Sequence, residues 1–326
     1  MGSPRYQTTI PLDRYSLVLT SDSEKIVEAV SSWVDRDIAA RHDACATGRK
    51  KPIRVELHTS HHPKRGGLPF PLRPTGAFED VEFFADDEQT TLIFGGSSSV
   101  TADLRKGEAT GFVSPEHAES PWIISHRIFY VPILEMLRSA GAFYIHAGCV
   151  CAGDRCVLLC GGSGHGKSTL TYALARSRFS YLSDDAVFIQ GSGERIEIFS
   201  FPEKIKLDGA SRSFFPELGR LEGSSGKVEI PSRLTGIKDI SVRGEPYALI
   251  FVEIAEGTAS RLAPVEKSDA LLRLIRQSVS ITSKKSMGAQ LDLLKRLVET
   301  SKCYEMKAGR DLDRAPALVE KVLFER

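Results

Sequence analysis

Residues 160–169 read Cys160-Gly161-Gly162-Ser163-Gly164-His165-Gly166-Lys167-Ser168-Thr169. From Gly161 to Ser168 they match the pattern G-x-x-x-x-G-K-[ST], with an apolar run at 157–159 before it and a helix-like run at 170–176 after it. Glycines in such a strand–loop–helix context let backbone N–H groups turn inward around a phosphate without Cβ clashes. The sequence therefore predicts that the chain binds a nucleoside triphosphate.

The residues of this loop have distinct expected roles. A helix that opens near Gly166 would turn its positive dipole end toward the phosphates. Lys167 would reach the β- and γ-phosphates, and the hydroxyl of Ser168 would bind Mg²⁺. We expect the nucleotide to be held by the whole loop, that is by Gly161, Gly162, Ser163, Gly164, His165, Gly166, Lys167, Ser168 and Thr169.

Composition narrows the function classes. The 326 residues are 41% hydrophobic and 26% charged, which is typical of a soluble globular chain with one large or two ordinary domains. The net charge of +1 creates no basic field for nucleic acid. No apolar stretch approaches the ~18 residues that span a membrane, and the N-terminus has no apolar signal core. These features predict a cytoplasmic protein without a nucleic-acid or membrane partner.

The six cysteines suggest packing rather than metal binding. Cys149, Cys151, Cys156 and Cys160 lie on apolar, strand-like runs beside the loop. No C-x-x-C pair occurs, so a zinc site is disfavoured. We expect these residues to be small, buried and reduced.

The chain divides into two predicted domains. Residues 1–114 read as one helix with several short strands, an α+β module without recognisable chemistry. Residues 115–141 read as a connecting helix that opens the second domain, 115–326. The second domain contains the glycine-rich loop and therefore carries the predicted function.

A β-hairpin precedes the loop. Strand-like runs at 142–151 and 156–160 flank a tight turn centred on Gly153 and Asp154. In that register paired residue numbers sum to 307, which sets His146 opposite Gly161. His146 would then lie beside the nucleotide phosphates, or else be a core histidine satisfied by the backbone, and the register alone leaves both open.

Two adjacent carboxylates that follow the loop in the sequence are expected to lie near it in the fold. The helix from 166 to 176 rises ~15 Å and the strand at 178–183 runs back ~17–20 Å, which brings Asp184 and Asp185 level with the phosphates. Such a pair suits a Mg²⁺ ligand and a general base. Successive strand side chains face opposite ways, so the two should not share one role.

The sequence leaves open whether two further segments contact a ligand. Lys204 and Lys206 fall on one face of a predicted strand and either contact a phosphate or face solvent. The Gly/Ser-rich stretch at 220–226 is long enough to be a candidate substrate loop.

From His146 to Ile189 the sequence resembles the HPr kinase/phosphorylase-like family, whose fold is related to that of phosphoenolpyruvate carboxykinase. The family pattern is a histidine–small-residue strand, a hairpin, G-x-S-G-x-G-K-S, a helix and a strand that ends in Asp-Asp. Here Gly161 lies 15 positions after His146, and Asp185 lies 18 positions after Lys167. Residues 201–207 and 303–324 resemble the family more weakly.

The resemblance implies a fold and a set of roles. The fold would be α/β, with a mixed sheet, flanking helices and a P-loop, preceded by the smaller α+β domain. Lys167 and the loop amides would bind the phosphates of ATP, and Ser168 and Asp184 would hold Mg²⁺. Asp185 would be the general base toward an acceptor hydroxyl, with His146 in the active site near it. HPr kinases are oligomeric, so a homo-oligomer is implied.

The sequence also departs from that family. Thr169 stands where HPr kinases usually carry Glu, and no E-x-R-G signature follows the Asp pair. The interpretation is therefore an ATP-dependent serine kinase-like enzyme that transfers the γ-phosphate to a hydroxyl of a protein, peptide or small molecule. The alternatives are a P-loop ATPase and a nucleotide sensor without a phosphoryl acceptor; no L-S-G-G-Q motif supports a transport ATPase.

Overall fold

The structure of the chain is a computed structural model. The residues that it describes are 5–46, 48–60, 74–209, 211, 214–218, 228–255, 257, 259–278 and 284–324. Their contacts divide the chain into two compact units. The first unit comprises Met1–Val34, His42–Phe143 and Ser280–Gln290, and the second comprises Asp35–Arg41, Tyr144–Val279 and Leu291–Arg326.

An eight-stranded sheet forms the first unit. Its strands are β1 (Tyr6–Leu12), β2 (Tyr15–Ser21), β3 (Lys51–Thr59), β4 (Gly76–Phe78), β5 (Val81–Ala85), β6 (Gln89–Phe94), β7 (Ser98–Asp103) and β8 (Glu108–Val113). Their order is β1-β2-β3-β8-β7-β6-β5-β4, and β3 is parallel to both neighbours. In β2 every second residue is buried, as expected for a strand with one face on a core.

The helices that begin in the first half of the chain are α1 (Glu24–Trp33), α2 (Arg36–Ala44), α3 (Pro115–Ala118), a π-helix (Ile123–Phe129) and α4 (Tyr130–Ser139). Within the first unit, α4 packs on β6 and β7, and α1 packs on the π-helix. The contacts therefore place residues 115–143 with the first unit, whereas the predicted boundary falls between 114 and 115. The physical reason is the apolar face of this helical segment, which covers the first sheet.

The second unit contains a mixed sheet. The strands of this half of the chain are β9 (Ala142–Ala152), β10 (Arg155–Cys160), β11 (Ser180–Ser183), β12 (Ala186–Ser192), β13 (Arg195–Ser200), β14 (Ile205–Leu207), β15 (Val228–Ile230), β16 (Arg243–Ile254), β17 (Arg261–Pro264) and β18 (Lys302–Ala308). The main order is β10-β9-β12-β13-β16-β18-β17, and β10 also pairs with β16. The mixed α/β class is thus confirmed.

The helices of this half are α5 (Lys167–Ser177), α6 (Lys267–Ile275), α7 (Lys284–Thr300) and α8 (Ala315–Phe324). α5 packs against α8 and against β10 and β11. These elements share a core of fully buried side chains that includes Leu159 of β10, Leu170 of α5 and Val319 of α8. Within the described residues no helix is both long and apolar enough to cross a membrane.

The hairpin of β9 and β10 has the predicted register. Arg155 pairs with Ala152 and Cys160 pairs with Ala147, so each pair sums to 307. Cys160 is the residue just before the glycine-rich loop, and the hairpin therefore carries the loop at the end of a central strand that is buried from Cys156 to Cys160.

The expectation that the hairpin cysteines are reduced is wrong for one pair. Cys151 and Cys156 are opposite each other in the register, and they form a disulfide. Cross-strand neighbours on one face lie close enough for such a bond. Cys149, Cys160 and Cys303 are buried free thiols, as expected, whereas the free thiol of Cys45 is exposed. The sulfur of Cys149 lies within 4.8 Å of the bonded pair, but two of these three sulfurs are already joined to each other.

Gly148 provides a test of how α5 packs on β9. A Cβ at this position would overlap Oγ1 of the fully buried Thr171, whose hydroxyl donates to the carbonyl of Lys167 at 2.8 Å. We expect Gly148→Ala to lower the free energy of unfolding by about 1–3 kcal/mol, because overpacking strains a closed core. Urea unfolding measures this change.

Gly288 in α7 is the matched control. A Cβ there meets no atom of the described residues within 4 Å, so Gly288→Ala should raise the free energy of unfolding by about 0.5–1 kcal/mol through backbone entropy and helix propensity. An equal effect of the two substitutions would contradict the proposed close contact at Gly148.

Candidate functional site

The glycine-rich loop turns sharply between β10 and α5. Gly164 and Gly166 have φ values of 79° and 80°, in the left-handed region that glycine adopts without strain. A Cβ at Gly161 would lie 2.7 Å from the carbonyl oxygen of Val252, so only glycine fits this approach to β16. The first helical bond runs from the N–H of Leu170 to the carbonyl of Gly166 at 2.9 Å. The first-turn amides of α5 consequently point into the loop, as at helix N-termini that bind anions.

Lys167 lies across the concave side of this loop. Its Nζ donates to the carbonyl oxygens of Gly161 and Gly162 at 2.9 and 3.0 Å, and the residue is 5% exposed. The ammonium group is therefore held beside the first-turn amides of α5. Such an arrangement provides positive charge and N–H donors on one small concave surface, which suits a phosphate group.

The other loop residues differ in exposure. Ser163, Gly164 and His165 are exposed, and the ring of His165 lies with Nδ1 3.3 Å from the carbonyl oxygen of Val252. Ser168 is half-buried in the first turn of α5. Its hydroxyl oxygen belongs to the hard ligands that Mg²⁺ prefers.

Thr169 contacts a second segment. Its Oγ1 is 2.6 Å from Oγ of Ser211, and the N–H of Ser211 donates to Oδ1 of Asp208 at 2.6 Å. This bond ties the first turn of α5 to the chain after β14. The candidate substrate loop at 220–226 lies outside the described residues.

His146 and Asp185 form a close pair. His146 Nδ1 is 2.6 Å from Asp185 Oδ1, and both side chains remain partly exposed, at 30% and 27%. A carboxylate only accepts hydrogen bonds, so the Nδ1–H of the imidazole donates to it. The histidine is thus not a core residue satisfied by backbone alone. The pair holds a solvent-accessible carboxylate in a defined orientation.

Backbone bonds fix this pair relative to the hairpin. The N–H of Ala147 donates to the carbonyl of Asp185 at 3.1 Å, and Ala147 pairs with Cys160 at the start of the loop. Two strand spacings therefore separate the backbone of Asp185 from that of β10, or about 10 Å. The sequence prediction that the Asp pair returns to the end of the sheet carrying the loop is in agreement with this register.

Asp184 points the other way. It is 2% exposed; Oδ1 accepts from the Tyr181 hydroxyl at 2.7 Å and Oδ2 from the N–H of Lys206 at 3.1 Å. Burial, and secondly the charge of Asp185, raise the pKa of this carboxyl. The two aspartates have different environments, as alternation along a strand requires. The assignment of Asp184 to Mg²⁺ remains a prediction, and Asp185 is the more accessible of the two carboxylates.

Sequence reasoning missed a buried ion pair beside these aspartates. Lys206 Nζ is 2.6 Å from Glu203 Oε2 and 3.8 Å from Asp185 Oδ2. Burial alone would lower the pKa of Lys206, but the charges of Glu203 and Asp185 outweigh it and raise the pKa. Of the two lysines considered from sequence, Lys206 therefore faces the carboxylates. The sequence feature that could have predicted this pair is the i,i+3 spacing of Glu203 and Lys206 next to a buried strand.

Glu203 is a buried carboxyl of this cluster with a raised pKa. It is 4% exposed, and within the described part of the chain its Oε1 makes no hydrogen bond. Burial raises the pKa of Glu203 from 4.5 to about 8, with Lys206 opposing and the two aspartates adding to the shift. Burial, followed by the charges of Asp185 and Glu203, also raises the pKa of the Tyr144 hydroxyl, which lies 3.3 Å from His146 Nδ1.

The raised pKa of Glu203 predicts a pH dependence of stability. Between about pH 4.5 and about pH 8 the folded chain binds more protons at this site than the unfolded chain, so the stabilisation present at low pH is lost as the pH rises. In wild type, Glu203 should make the free energy of unfolding fall with pH by at most about 1.4 kcal/mol per pH unit across this window. We expect Glu203→Gln to remove this contribution. Urea unfolding at a series of pH values measures the slope.

The control for this experiment is Glu194→Gln, in the exposed turn between β12 and β13. It should follow the wild-type pH profile throughout the window. If the stability difference between wild type and Glu203→Gln does not change with pH, the raised pKa of Glu203 is wrong.

Comparisons with known proteins do not decide what this chain does. No family model matches the chain, and no curated protein matches it. Among solved structures it is similar to the Hpr(Ser) kinase/phosphatase from Coxiella burnetii, over 55% of this chain and 93% of that chain. The identity is 13% and the TM-score is 0.30, values that carry no argument about activity.

Proposed function

We propose that this chain is an ATP-dependent kinase that transfers the γ-phosphate of ATP to a hydroxyl group of a protein, peptide or small-molecule acceptor. The observation that carries the proposal is the pair His146–Asp185, with its partly exposed carboxylate, bound through Ala147 to the strand that leads into the glycine-rich loop. A phosphate site and an oriented base at the same end of one sheet are the two parts that phosphoryl transfer needs.

The loop would bind and orient the nucleotide. Phosphate oxygens would accept from the first-turn amides of α5 and from Lys167 Nζ, in place of the carbonyls of Gly161 and Gly162 that this ammonium now contacts. Catalysis of this kind is mostly positioning and charge neutralisation.

The Ser168 hydroxyl and the partly exposed Asp185 carboxylate are hard oxygen donors of the kind that Mg²⁺ prefers, whereas both oxygens of Asp184 already accept from Tyr181 and Lys206. Ser168 and Asp184 are the predicted ligands, and Asp185 offers a further carboxylate. The ion would neutralise charge that develops on the phosphate oxygens.

Asp185 would act as the general base. Its carboxylate would take the proton of the acceptor hydroxyl as the new O–P bond forms and the bond to the leaving ADP breaks. His146 would keep the carboxylate in place through Nδ1. Lys206, 3.8 Å from the other carboxylate oxygen, would favour its ionised form.

The direct test is transfer of label from γ-labelled ATP in the presence of Mg²⁺ into lysate proteins and candidate peptides, with mass spectrometry of the labelled product. Labelled phosphoserine or another phosphorylated hydroxyl supports the proposal. Release of free phosphate without a labelled acceptor would instead favour a P-loop ATPase. Binding of ATP without any turnover would favour a nucleotide sensor.

A further inference from the structure

A cavity of about 330 Å³ adjoins the glycine-rich loop within the second unit. Gly166, Thr169 and Leu170, on the loop and the first turns of α5, form one side of it. The opposite side includes Ile254 and Ala308, which pair at the ends of the parallel strands β16 and β18. The cavity therefore begins where the loop ends.

The cavity is lined mainly by apolar side chains, together with an arginine. Leu170, Phe214, Ile254 and Leu312 contribute apolar surface, and Arg310 is the cation of the lining. The volume falls in the range of small-molecule pockets, which are mostly apolar with a few placed polar groups. A flat aromatic ligand suits this combination, because a guanidinium group stacks favourably on an aromatic face.

Hydrogen bonds hold the segment that carries Arg310. The N–H of Gly309 donates to Oγ of Ser260 at 3.0 Å, while the N–H and hydroxyl of Ser260 donate to Asp311 Oδ1 at 2.8 and 2.6 Å. These bonds, led by that of the Ser260 hydroxyl, lower the pKa of Asp311. The residues on both sides of Arg310 are thus fixed, and the exposed guanidinium is carried on a defined turn beside the cavity.

We infer that this cavity receives the purine base of the nucleotide whose phosphates bind the loop, and that Arg310 stacks on that base. The inference rests on the proposed nucleotide binding. Gly166 and Thr169 belong to both the loop and the cavity wall. A ligand with an anionic end and a flat, largely apolar end fits the two surfaces together. The apolar lining reads the base by stacking and shape, so larger purines bind better than pyrimidines.

The experiment compares ATP, CTP and inorganic tripolyphosphate by titration calorimetry, on wild type and on Arg310→Ala. Tripolyphosphate retains the phosphates and lacks the base. We expect Arg310→Ala to weaken ATP binding about three- to tenfold, the range of a cation–π contact. Binding of tripolyphosphate should not change, and the preference for ATP over CTP should shrink.

Two further variants complete the design. Leu312→Trp fills the cavity and should weaken ATP binding at least as much as Arg310→Ala, again with tripolyphosphate unaffected. Arg314→Ala is the matched control, since Arg314 is exposed, pairs with Asp311 and does not line the cavity. It should leave all three affinities as in wild type.

Other results would reject either the placement of the base in this cavity or the binding of a nucleotide. If ATP binds wild type and both cavity variants equally, the base does not lie in this cavity, although the loop still binds phosphate. Equal losses of ATP and tripolyphosphate binding would also reject the base assignment. If wild type binds neither ligand, the proposed nucleotide binding itself fails, and this failure differs from the first two.

Discussion

Asp185→Asn is expected to reduce phosphate transfer by a factor of about 10²–10⁴ and to leave ATP binding nearly unchanged, because a positioned base contributes that much. Asparagine keeps the shape of the side chain and an oxygen near His146 Nδ1, but it cannot take a proton. Initial rates of label transfer and ATP affinity by calorimetry measure the two effects separately.

Asp154→Asn is the control for this substitution. Asp154 is an exposed residue in the turn between β9 and β10, and it accepts a hydrogen bond from the N–H of Glu245 through its backbone carbonyl. Its transfer rate should equal that of wild type. Full transfer activity in purified, folded Asp185→Asn would reject Asp185 as the base.

Lys167→Ala is expected to abolish transfer and to weaken ATP binding about 10- to 100-fold. The ammonium lies on the carbonyls of Gly161 and Gly162, 5% exposed, in the concave side of the loop. A charged hydrogen bond contributes about 1.5–3 kcal/mol, and each 1.4 kcal/mol is about tenfold in affinity. Calorimetry with ATP measures the loss, and thermal unfolding confirms that the variant folds.

The exposed Lys238 provides the matched control, because Lys238→Ala removes the same charge elsewhere in the second unit. Its ATP affinity should stay within about twofold of wild type, since exposed charges at a distance are screened. An unchanged affinity in Lys167→Ala would mean that the loop does not bind the phosphates through this lysine.

Local signals in the sequence predicted the part of the site that lies near the loop. The Gly-Asp turn determined the hairpin register and placed His146 opposite Gly161, and β10 and β9 pair accordingly. Helix α5 and strand β11 begin and end within two residues of the predicted bounds, because the glycines and the apolar run mark their ends. These features depend on neighbours along the chain, so a single sequence carries them.

Other features were not indicated by the local sequence. The predicted hairpin register sets Cys151 opposite Cys156, but the sequence did not indicate that the two thiols are oxidised to a disulfide. The packing of 115–139 on the first sheet likewise moved this helical segment from the predicted second domain. In both cases the residue types were compatible with either outcome, and the contacts that form decided between them.

The sequence by itself determined a glycine-rich loop between a strand and a helix, a histidine in register with it and two aspartates after the next strand. The tertiary structure decided which aspartate pairs with His146, because the strand sends one carboxylate inward to Tyr181 and the other to the imidazole. It also brought Glu203 and Lys206 to these carboxylates, and it brought β16 and β18 to the cavity beside the loop. The physical reason is that burial and pairing between distant strands set these environments, and no local pattern of residues encodes them.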